Sequence, residues 1–327
     1  MESQGKAAPT AVRTPQTGGA AEAKKLNRGM KRSSLNRGEG FWGYLFIMPN
    51  LVGFLAFTLF GIIFSLIMSF TDWNLLKGYE EAKFVGLKNF KAMIGDVYLG
   101  ASLRNNAILL LVVPVSLFIA AVLANIMNRA IYGKAGARAL YFLPYVTNIV
   151  AISTVWQALF HAKKGPINMM LLSLGVNLEN LPGWLSNSKW ALPAVMIVLL
   201  WQTVGYYILM YSSALQSIPH DYSEAAALDG AGPVKQFFHI TLPMLQPTTF
   251  LLTILGFISS LQMWSFVQIL TKGGPGTATY TLGLYVYRSA FETYRAGYAC
   301  ALSWLLCAIM FVFTIIRWQT EKRFSVD

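Results

Sequence analysis

The sequence predicts an all-α integral membrane protein with six transmembrane helices, from its composition and from the spacing of its apolar runs. Its 327 residues are 55% hydrophobic and 12% charged, whereas a soluble domain is about 25% charged. Six apolar runs approach or exceed the roughly 20 residues that span a bilayer. They lie at about 41–70, 105–127, 139–160, 190–215, 247–270 and 298–316. This composition excludes an ordinary soluble enzyme.

The first 40 residues differ from the rest in composition. They are rich in Ala, Gly, Ser and Thr and contain eight Lys and Arg residues, so a largely disordered basic tail is predicted. Because Lys and Arg accumulate on the cytoplasmic side of a membrane, this tail is predicted to be cytoplasmic, and six spans return the C-terminus to the same side. The predicted organisation is a tail at 1–40, a transmembrane domain at 41–320 and a second cytoplasmic tail at 321–327.

The net charge of +12 comes from 26 basic and 14 acidic residues. The basic residues flank the apolar runs, where such residues set topology, so membrane lipid is a predicted partner and nucleic acid is not. The predicted spans contain no Asp, Glu, Lys, Arg or His, although ion-coupled transporters commonly place ionisable groups there. The phosphate-binding pattern G-x-x-x-x-G-K-[ST] is also absent from the sequence. A pump built on this chain therefore needs another chain to supply its energy.

Residues 216–246, between the fourth and fifth runs, predict a helix–turn–helix hairpin. Asp221 is a residue type that caps helix N-termini, and Glu224 three positions later completes an Asp version of the capping box. Gly230 suits the left-handed position just after a helix. Pro233 suits the first turn of a second helix.

The same segment contains the complete pattern E-A-A-x3-G-x9-I-x-L-P. Its fixed positions are Glu224, Ala225, Ala226, Gly230, Ile240, Leu242 and Pro243. Pro243 is also predicted to end the second helix or to kink the entry into the fifth run. The pattern resembles the signature of permease subunits of binding-protein-dependent ABC importers.

Further stretches are similar to the carbohydrate-uptake branch of that family, which includes the maltose and glycerol-phosphate permeases. These stretches lie at 69–73, 84–90, 141–144, 215–219 and 270–276. The resemblance covers about 41–320 and leaves out the basic tail. The large periplasmic insertion of the maltose-type subunit is missing from this sequence.

The resemblance implies a type I ABC importer permease fold, in a subunit that moves a sugar or oligosaccharide inward across a bacterial or archaeal cytoplasmic membrane. It implies three protein partners: a second permease subunit of different sequence, a dimeric cytoplasmic ATPase and an extracytoplasmic solute-binding protein. In that family the hairpin is the coupling helix, which sits in a cleft of the ATPase. ATP and Mg²⁺ belong to the ATPase, so no catalytic residue, metal site or cofactor is expected in this chain. The alternative from local chemistry is that Glu224 and Gly230 only cap the hairpin.

Polar side chains recur at helical spacing on the fourth and fifth runs. Uncharged hydroxyl and amide groups beside aromatic rings suit a sugar, because each sugar hydroxyl both donates and accepts hydrogen bonds. The resemblance supports six of these residues as substrate contacts: Gln202, Thr203, Tyr206, Ser259, Ser260 and Met263. Gln262 and Trp264 are added on their chemistry alone. The alternative is that such residues only pack helices together, as small and polar residues commonly do in membranes.

The segment from Gly273 to Tyr294 predicts a glycine turn followed by a short aromatic helix. It is either an outer platform for a solute-binding protein or an aromatic belt at the membrane surface. Other functions stay open from the residues. A permease for a polyol or sugar phosphate shares the same features, and a self-sufficient channel or secondary transporter needs charged groups in the spans. A membrane enzyme would have to use the acidic group Asp72, Glu80 and Glu81, which is a poor candidate site.

Overall fold

The structure, a computed structural model, describes residues 37–128 and 134–324, and side chains within 42–128 and 136–320. The predictions for residues 1–36 lie outside this part of the chain. Contacts divide the chain into two units, 1–63 and 64–327. The described part of the first unit is helical: α1 (Arg37–Gly53) continues through a π-helical stretch (Phe54–Leu59) into α2 (Phe60–Ser69), of which residues 64–69 belong to the second unit. This helix begins four residues before the first predicted span.

In the described residues of the second unit, the β structure is limited to one isolated bridge between Thr71 and Phe84. Its α-helices after α2 are α3 (Lys88–Ala92), α4 (Val97–Leu109), α5 (Val112–Asn128), α6 (Lys134–Val146), α7 (Ile149–Leu159), α8 (Pro166–Ser173), α9 (Ser188–Leu215), α10 (Asp221–Leu228), α11 (Pro233–Gln236), α12 (Leu242–Met244), α13 (Gln246–Leu261), α14 (Ser265–Leu270), α15 (Leu282–Tyr287) and α16 (Ala296–Phe324). Two π-helical stretches, Phe237–Thr241 and Arg288–Glu292, connect neighbouring helices.

Four helical stretches are long and apolar enough to cross a membrane without a sharp bend: Trp42–Ser69, Val97–Asn128, Ser188–Leu215 and Ala296–Thr320. Two helix pairs pass the same test together but are bent. Gly136–Val146 meets Ile149–Leu159 at 93°, and Pro233–Met244 meets Gln246–Leu261 at 67°. By length and composition, the described residues therefore supply four spans, or six if each bent pair counts as one. Each of the six predicted runs overlaps one of these elements.

The third predicted span is bent because a new helix starts in the middle of the apolar run. The Asn148 side chain accepts a hydrogen bond from the backbone N–H of Val150 at 2.8 Å, as an N-cap does. One residue earlier, the Thr147 hydroxyl donates to the carbonyl oxygen of Leu143 at 2.7 Å. Two adjacent polar residues that favour helix ends thus outweigh the apolar residues around them.

The fifth predicted run, 247–270, is also two helices instead of one. The chain leaves α13 after Leu261 and begins α14 at Ser265. The carbonyl oxygen of Met263, left free by this break, accepts a hydrogen bond from the Thr281 hydroxyl at 2.8 Å. A buried carbonyl needs such a partner, so the break depends on residues that lie far along the sequence.

The helices extend beyond the predicted runs and take in basic residues. Arg104 lies in α4, Lys189 in α9 and Arg317 in α16, so the long helices carry charges that the shorter predicted runs exclude. Lys189 is the second residue of the span Ser188–Leu215, and Arg317 directly follows the predicted run 298–316. Long basic side chains at such positions reach toward the polar headgroups.

The core of the second unit is built around α9. Small residues of α5, Ala120, Ala121 and Ala124, are fully buried and pack in one cluster with Ile208 and Tyr211 of α9. Small side chains let membrane helices approach closely. The contact between α9 and α6 is closer still, because a Cβ atom on Gly205 would overlap the carbonyl oxygen of Tyr141.

Candidate functional site

A cavity of about 180 Å³ lies where α4, α5, α7, α9, α13 and α14 meet. Five of the eight predicted substrate residues line it: Gln202, Thr203, Ser259, Ser260 and Met263. The rest of the lining includes Leu109, Val112, Val113, Ile149, Leu199, Tyr207, Gly256 and Phe266. None of these residues is charged. We call this space the span cavity.

The Ser260 hydroxyl is the most informative polar group in the span cavity. Ser260 is 6% exposed, and its oxygen is buried without a hydrogen-bond partner in the protein. Leaving a buried polar group unpaired costs about 1–3 kcal/mol, and Ser260, unlike the equally unpaired Ser153, lines a cavity in which a solute could pair with it. A hydroxyl in this state is suited to a polar solute.

The Thr203 hydroxyl is held in place from two sides. It donates to the carbonyl oxygen of Leu199 at 2.8 Å and lies 3.3 Å from the hydroxyl of Ser116 on α5. This pair ties α9 to α5 at the wall of the cavity. Thr203 therefore also has a helix-packing role, as the alternative interpretation of the polar residues predicts.

Tyr207 and Gly256 line the cavity but are absent from the predicted set. A Cβ atom on Gly256 would lie 2.5 Å from the Tyr207 hydroxyl oxygen and 2.8 Å from a Val113 methyl carbon, so only glycine leaves room for that hydroxyl. Tyr207 follows Thr203 by four residues, and residues four apart share a helix face. The sequence pattern instead predicts that Tyr206, three residues after Thr203, lies on the same helix face.

The structure does not bring the other three predicted substrate residues to the span cavity. The Tyr206 ring stacks on Tyr145 with 4.6 Å between ring centroids. The Trp264 ring stacks on Tyr287 at 4.4 Å. Gln262 follows the last residue of α13 and is exposed. Their contact with a solute stays a prediction.

The hairpin is formed by α10, a glycine turn and α11. Asp221 is the first residue of α10 and not its cap. His220 holds the N-cap position without a side-chain hydrogen bond, so the predicted capping box does not form. The His220 carbonyl accepts the backbone N–H groups of Ser223 and Glu224 at 2.9 and 3.0 Å. Pro233 starts α11 as predicted.

Gly230 closes α10 in the left-handed conformation, with φ of +78°. Its N–H donates to the Ala227 carbonyl at 3.0 Å, and the Ala231 N–H donates to the Ala226 carbonyl at 2.8 Å. These two bonds form the Schellman motif that commonly ends a helix. The backbone conformation predicted for Gly230 is confirmed.

The motif residues differ in exposure along the hairpin. No residue of α10 is buried, and Leu228 is 90% exposed. By contrast, Ile240 and Leu242 are half-buried, and Leu242 packs against a core cluster that contains Phe237 and Leu245. The first half of the motif thus presents a surface, and the second half attaches the hairpin to the body of the protein.

The predicted segment Gly273–Tyr294 folds into a glycine turn and a short aromatic helix, α15. Together with the two residues before it, we call it the 271–294 segment. Asn105 of α4 donates from its side chain to the carbonyls of Thr277 and Tyr280 at 2.8 and 3.0 Å. The Asn106 side chain accepts the backbone N–H of Leu282 at 2.8 Å. Two adjacent asparagines therefore fasten this segment to α4.

Asp96 makes a second attachment of the same segment. Its carboxylate accepts hydroxyl groups of Tyr285 at 2.5 Å and Tyr298 at 2.6 Å, and it caps α4 through the N–H of Tyr98. Burial alone would raise the pKa of this carboxyl, but these hydrogen bonds outweigh burial and hold the pKa below its usual value. Asp96 is therefore ionised at neutral pH.

Among the described residues, no group of three His, Cys, Asp or Glu side chains is close enough to hold a metal ion.

Comparisons with known proteins agree with these features. Residues 113–325 match the family model described as the binding-protein-dependent transport system inner membrane component. The chain is similar to the probable ABC transporter permease protein YesP of Bacillus subtilis, with 35% identity over 311 residues that cover 94% of this chain and 96% of the relative. It is also similar to the lactose transport system permease protein LacF of Rhizobium radiobacter, with 32% identity over 297 residues, 89% of this chain and 97% of the relative.

The fold is also found in a solved structure. A chain of a bacterial ABC transporter that imports the acidic polysaccharide alginate matches with a TM-score of 0.76 and 20% identity. The match covers 92% of this chain and 100% of that chain. At this identity the likeness concerns the fold alone.

Proposed function

The chain belongs to the family of binding-protein-dependent transport system inner membrane components, as the transmembrane permease subunit of a sugar ABC importer, and we propose that its solute passes through the span cavity by alternating access. The predicted all-α importer permease fold is confirmed. The observation that carries the proposed path is the unpaired Ser260 hydroxyl, which lies beside Gln202 and Thr203 in an uncharged cavity.

The chemistry of the lining favours a neutral sugar over the alternatives. Ligand sites generally combine an apolar wall with a few polar groups that fix orientation, and the span cavity has this composition. A sugar phosphate needs a positive charge, and the lining contains none. A neutral polyol stays the alternative solute. A self-sufficient secondary transporter is disfavoured for the same reason, because the lining offers no ionisable group for a coupling ion.

We propose that the exposed half of the hairpin docks on a cytoplasmic ATPase. Glu224, Ala225 and Ala226 lie on a helix without buried residues, and Gly230 turns the chain sharply behind it. Alanine side chains allow a partner to approach the helix backbone closely. Ile240, Leu242 and Pro243 then connect α10 and α11 to α13, so a movement of the hairpin reaches the wall of the span cavity.

The remaining assignments follow from this role. The permease works with a second permease subunit of different sequence, a dimeric ATPase that binds ATP and Mg²⁺, and an extracytoplasmic solute-binding protein that contacts the 271–294 segment. The chain is a multi-pass membrane protein, and we place it in a bacterial or archaeal cytoplasmic membrane with both termini in the cytoplasm. Because the sequence has no G-x-x-x-x-G-K-[ST] phosphate-binding pattern, the isolated chain is expected to hydrolyse no ATP.

Ser260→Ala tests the solute path. Because its hydroxyl has no partner in the protein, its removal is expected to leave folding unchanged. Loss of one hydrogen bond to the solute should lower sugar uptake by about two- to tenfold. The measurement is uptake by proteoliposomes that contain the complete transporter, with the amount of assembled complex determined in parallel.

Ser153→Ala is the matched control for this experiment. The Ser153 hydroxyl is also buried and unpaired, but it does not line the span cavity. Uptake should be unchanged in this variant. Equal uptake in Ser260→Ala and the parent protein would show that the path lies elsewhere, whereas ATP turnover by the isolated chain would contradict the subunit role itself.

A further inference from the structure

A second cavity, of about 480 Å³, lies between the hairpin exit and the last helix, and the transport path does not use it. Residues between 238 and 250 form one wall, and Arg317 and Thr320 of α16 form the other. We call it the Arg317 cavity. Its lining includes Leu242 and Pro243 of the coupling motif.

Arg317 carries a positive charge that no described carboxylate pairs with. It is half-buried, and its Nε atom is buried without a hydrogen-bond partner. Its guanidinium carbon lies 5.8 Å from the centre of the Phe250 ring. Among the described side chains the ion pair found is Arg288 with Glu292, so no described carboxylate neutralises Arg317. Partial burial of an unpaired charge is unfavourable, and an anion in the cavity would relieve it.

The start of α13 adds positive potential to the same cavity. The helix begins at Gln246, and no side chain caps its N-terminus. Gln246, Thr249 and Phe250, all from its first turns, line the cavity. Pro247 has no N–H group, and the Thr249 N–H donates to the Leu245 carbonyl at 2.8 Å. The helix start therefore contributes its partial positive charge, which favours a phosphate group.

Part of the same lining is apolar. Leu242, Pro243 and Phe250 contribute hydrocarbon surface next to the guanidinium. Arg317 is also the first residue after the apolar run at about 298–316, a position from which a basic side chain reaches the lipid headgroups. Inorganic phosphate would use only the positive half of this site, whereas a phospholipid would use both halves.

We propose that the Arg317 cavity binds the headgroup of an anionic phospholipid, with its phosphate on Arg317 and the start of α13. The planar guanidinium can donate two parallel hydrogen bonds to phosphate oxygens. The glycerol and the first acyl carbons lie on Leu242, Pro243 and Phe250. A lipid bound there braces the exit of the hairpin, and this second claim rests on the proposed coupling function.

Native mass spectrometry of the full chain, titrated with phosphatidylglycerol or phosphatidylcholine, tests the binding. One phosphatidylglycerol should bind in preference to phosphatidylcholine, and Arg317→Gln should weaken it about tenfold, the equivalent of about 1.4 kcal/mol. Arg317→Lys keeps the charge without the two-pronged geometry, so it should lose part of the affinity. If Arg317→Gln folds poorly, the lipid affinity of Arg317→Lys still tests the role of Arg317.

Two further variants separate a specific site from other causes. Lys189→Gln removes a positive charge at the end of another span and should leave the affinity unchanged; an equal loss in this variant would show general attraction to anionic lipid and would overturn the proposal. Glu321→Gln removes the carboxylate four residues after Arg317. Lipid binding should be unchanged in this variant, because the proposed site does not use that carboxylate. Phosphatidylglycerol binding that appears only in Glu321→Gln would mean that the chain supplies its own anion.

Inorganic phosphate is the second probe. It should bind the delipidated chain far more weakly than phosphatidylglycerol. Tight phosphate binding that Arg317→Gln abolishes, with no preference for phosphatidylglycerol, would assign the site to a free anion and refute the lipid.

The coupling claim has its own measurement, sugar-stimulated ATPase activity of the complete transporter in nanodiscs with and without phosphatidylglycerol. Stimulation should be higher with phosphatidylglycerol, and Arg317→Gln should remove the difference. Equal stimulation with and without phosphatidylglycerol, in a chain that still binds the lipid, would refute only the claim that the lipid braces the hairpin exit. Absence of stimulation in both lipids would instead contradict the proposed transport function.

Discussion

Two glycine turns, at Gly230 in the hairpin and at Gly273 in the 271–294 segment, have the same backbone conformation and opposite surroundings. Their φ angles are +78° and +74°. A Cβ atom on Gly230 would meet no atom within 4 Å, whereas on Gly273 it would lie 2.7 Å from the Tyr280 ring and 2.9 Å from Leu284. The hairpin therefore takes its shape from backbone hydrogen bonds and leaves its side chains for a partner. The turn at Gly273 is instead packed against side chains of its own segment, which Asn105 and Asn106 fasten to α4.

The largest effect on stability is expected from Gly273→Val. Positive φ costs a β-branched residue about 1–3 kcal/mol, and the clash with Tyr280 and Leu284 adds about 1–3 kcal/mol of overpacking. The variant should unfold at a markedly lower temperature in detergent and yield less folded protein. A thermal unfolding curve that coincides with that of the parent would contradict the packed character of this turn.

A smaller loss is expected from Asp96→Asn, which removes the charge that accepts the Tyr285 and Tyr298 hydroxyls. Hydrogen bonds to a charged group are worth about 1.5–3 kcal/mol, so the variant should lose about 2 kcal/mol at neutral pH. The pKa of Asp96 is below its ordinary value of 3.8, so its contribution is present above that value and is lost as the pH falls through the lower folded pKa. Unfolding temperatures of the parent and the variant should begin to converge only as the pH falls below 3.8.

Tyr285→Phe is the control for the Asp96 measurement. It removes one of the two hydroxyl donors and keeps the carboxylate. It should cost less than Asp96→Asn and should retain the pH dependence. A pH dependence that persists unchanged in Asp96→Asn would assign it to another group.

Gly230→Val should affect function more than stability. The same strain of about 1–3 kcal/mol falls on an exposed turn with free space around it, so membrane levels should be close to those of the parent. The altered turn should no longer fit the ATPase, and sugar-stimulated ATP hydrolysis should be lost. Glu224→Lys should act in the same way, by reversing the charge near the start of α10.

Gly230→Asn is the matched control, because Asn tolerates the left-handed conformation. It should retain most of the stimulation. Normal stimulation in Gly230→Val, measured in proteoliposomes beside the amount of subunit, would refute the coupling role of this turn.

The smallest effect is expected from Asp221→Asn. Asp221 makes no capping hydrogen bond, so only its interaction with the helix dipole is lost. That interaction is worth about 0.3–1 kcal/mol. Thermal stability and stimulated ATP hydrolysis should both be close to those of the parent. A loss as large as that of Gly230→Val would show that Asp221 contacts the partner directly.

The predicted part of this fold is the part that local sequence determines. Long apolar runs indicate spans, and the glycine turn at Gly230 follows from the residues beside it. The break after Leu261 could not be predicted, because the hydroxyl that satisfies the Met263 carbonyl comes from Thr281. For the same reason Tyr207 is missing from the predicted substrate residues. Its position opposite Gly256 depends on how α9 and α13 pack. Trp264 and Tyr206 have suitable chemistry, but their rings are engaged with Tyr287 and Tyr145.

The break between α13 and α14 also links two places that a continuous helix would keep independent. Met263 lines the span cavity, and its carbonyl holds Thr281 immediately before α15. A rotation of the end of α13 must therefore displace α15, and a protein that immobilises α15 restricts that rotation. The connection works equally in both directions, as any coupling between two binding events must. We therefore expect a solute bound in the cavity and a protein bound to the 271–294 segment to affect each other through this hydrogen bond.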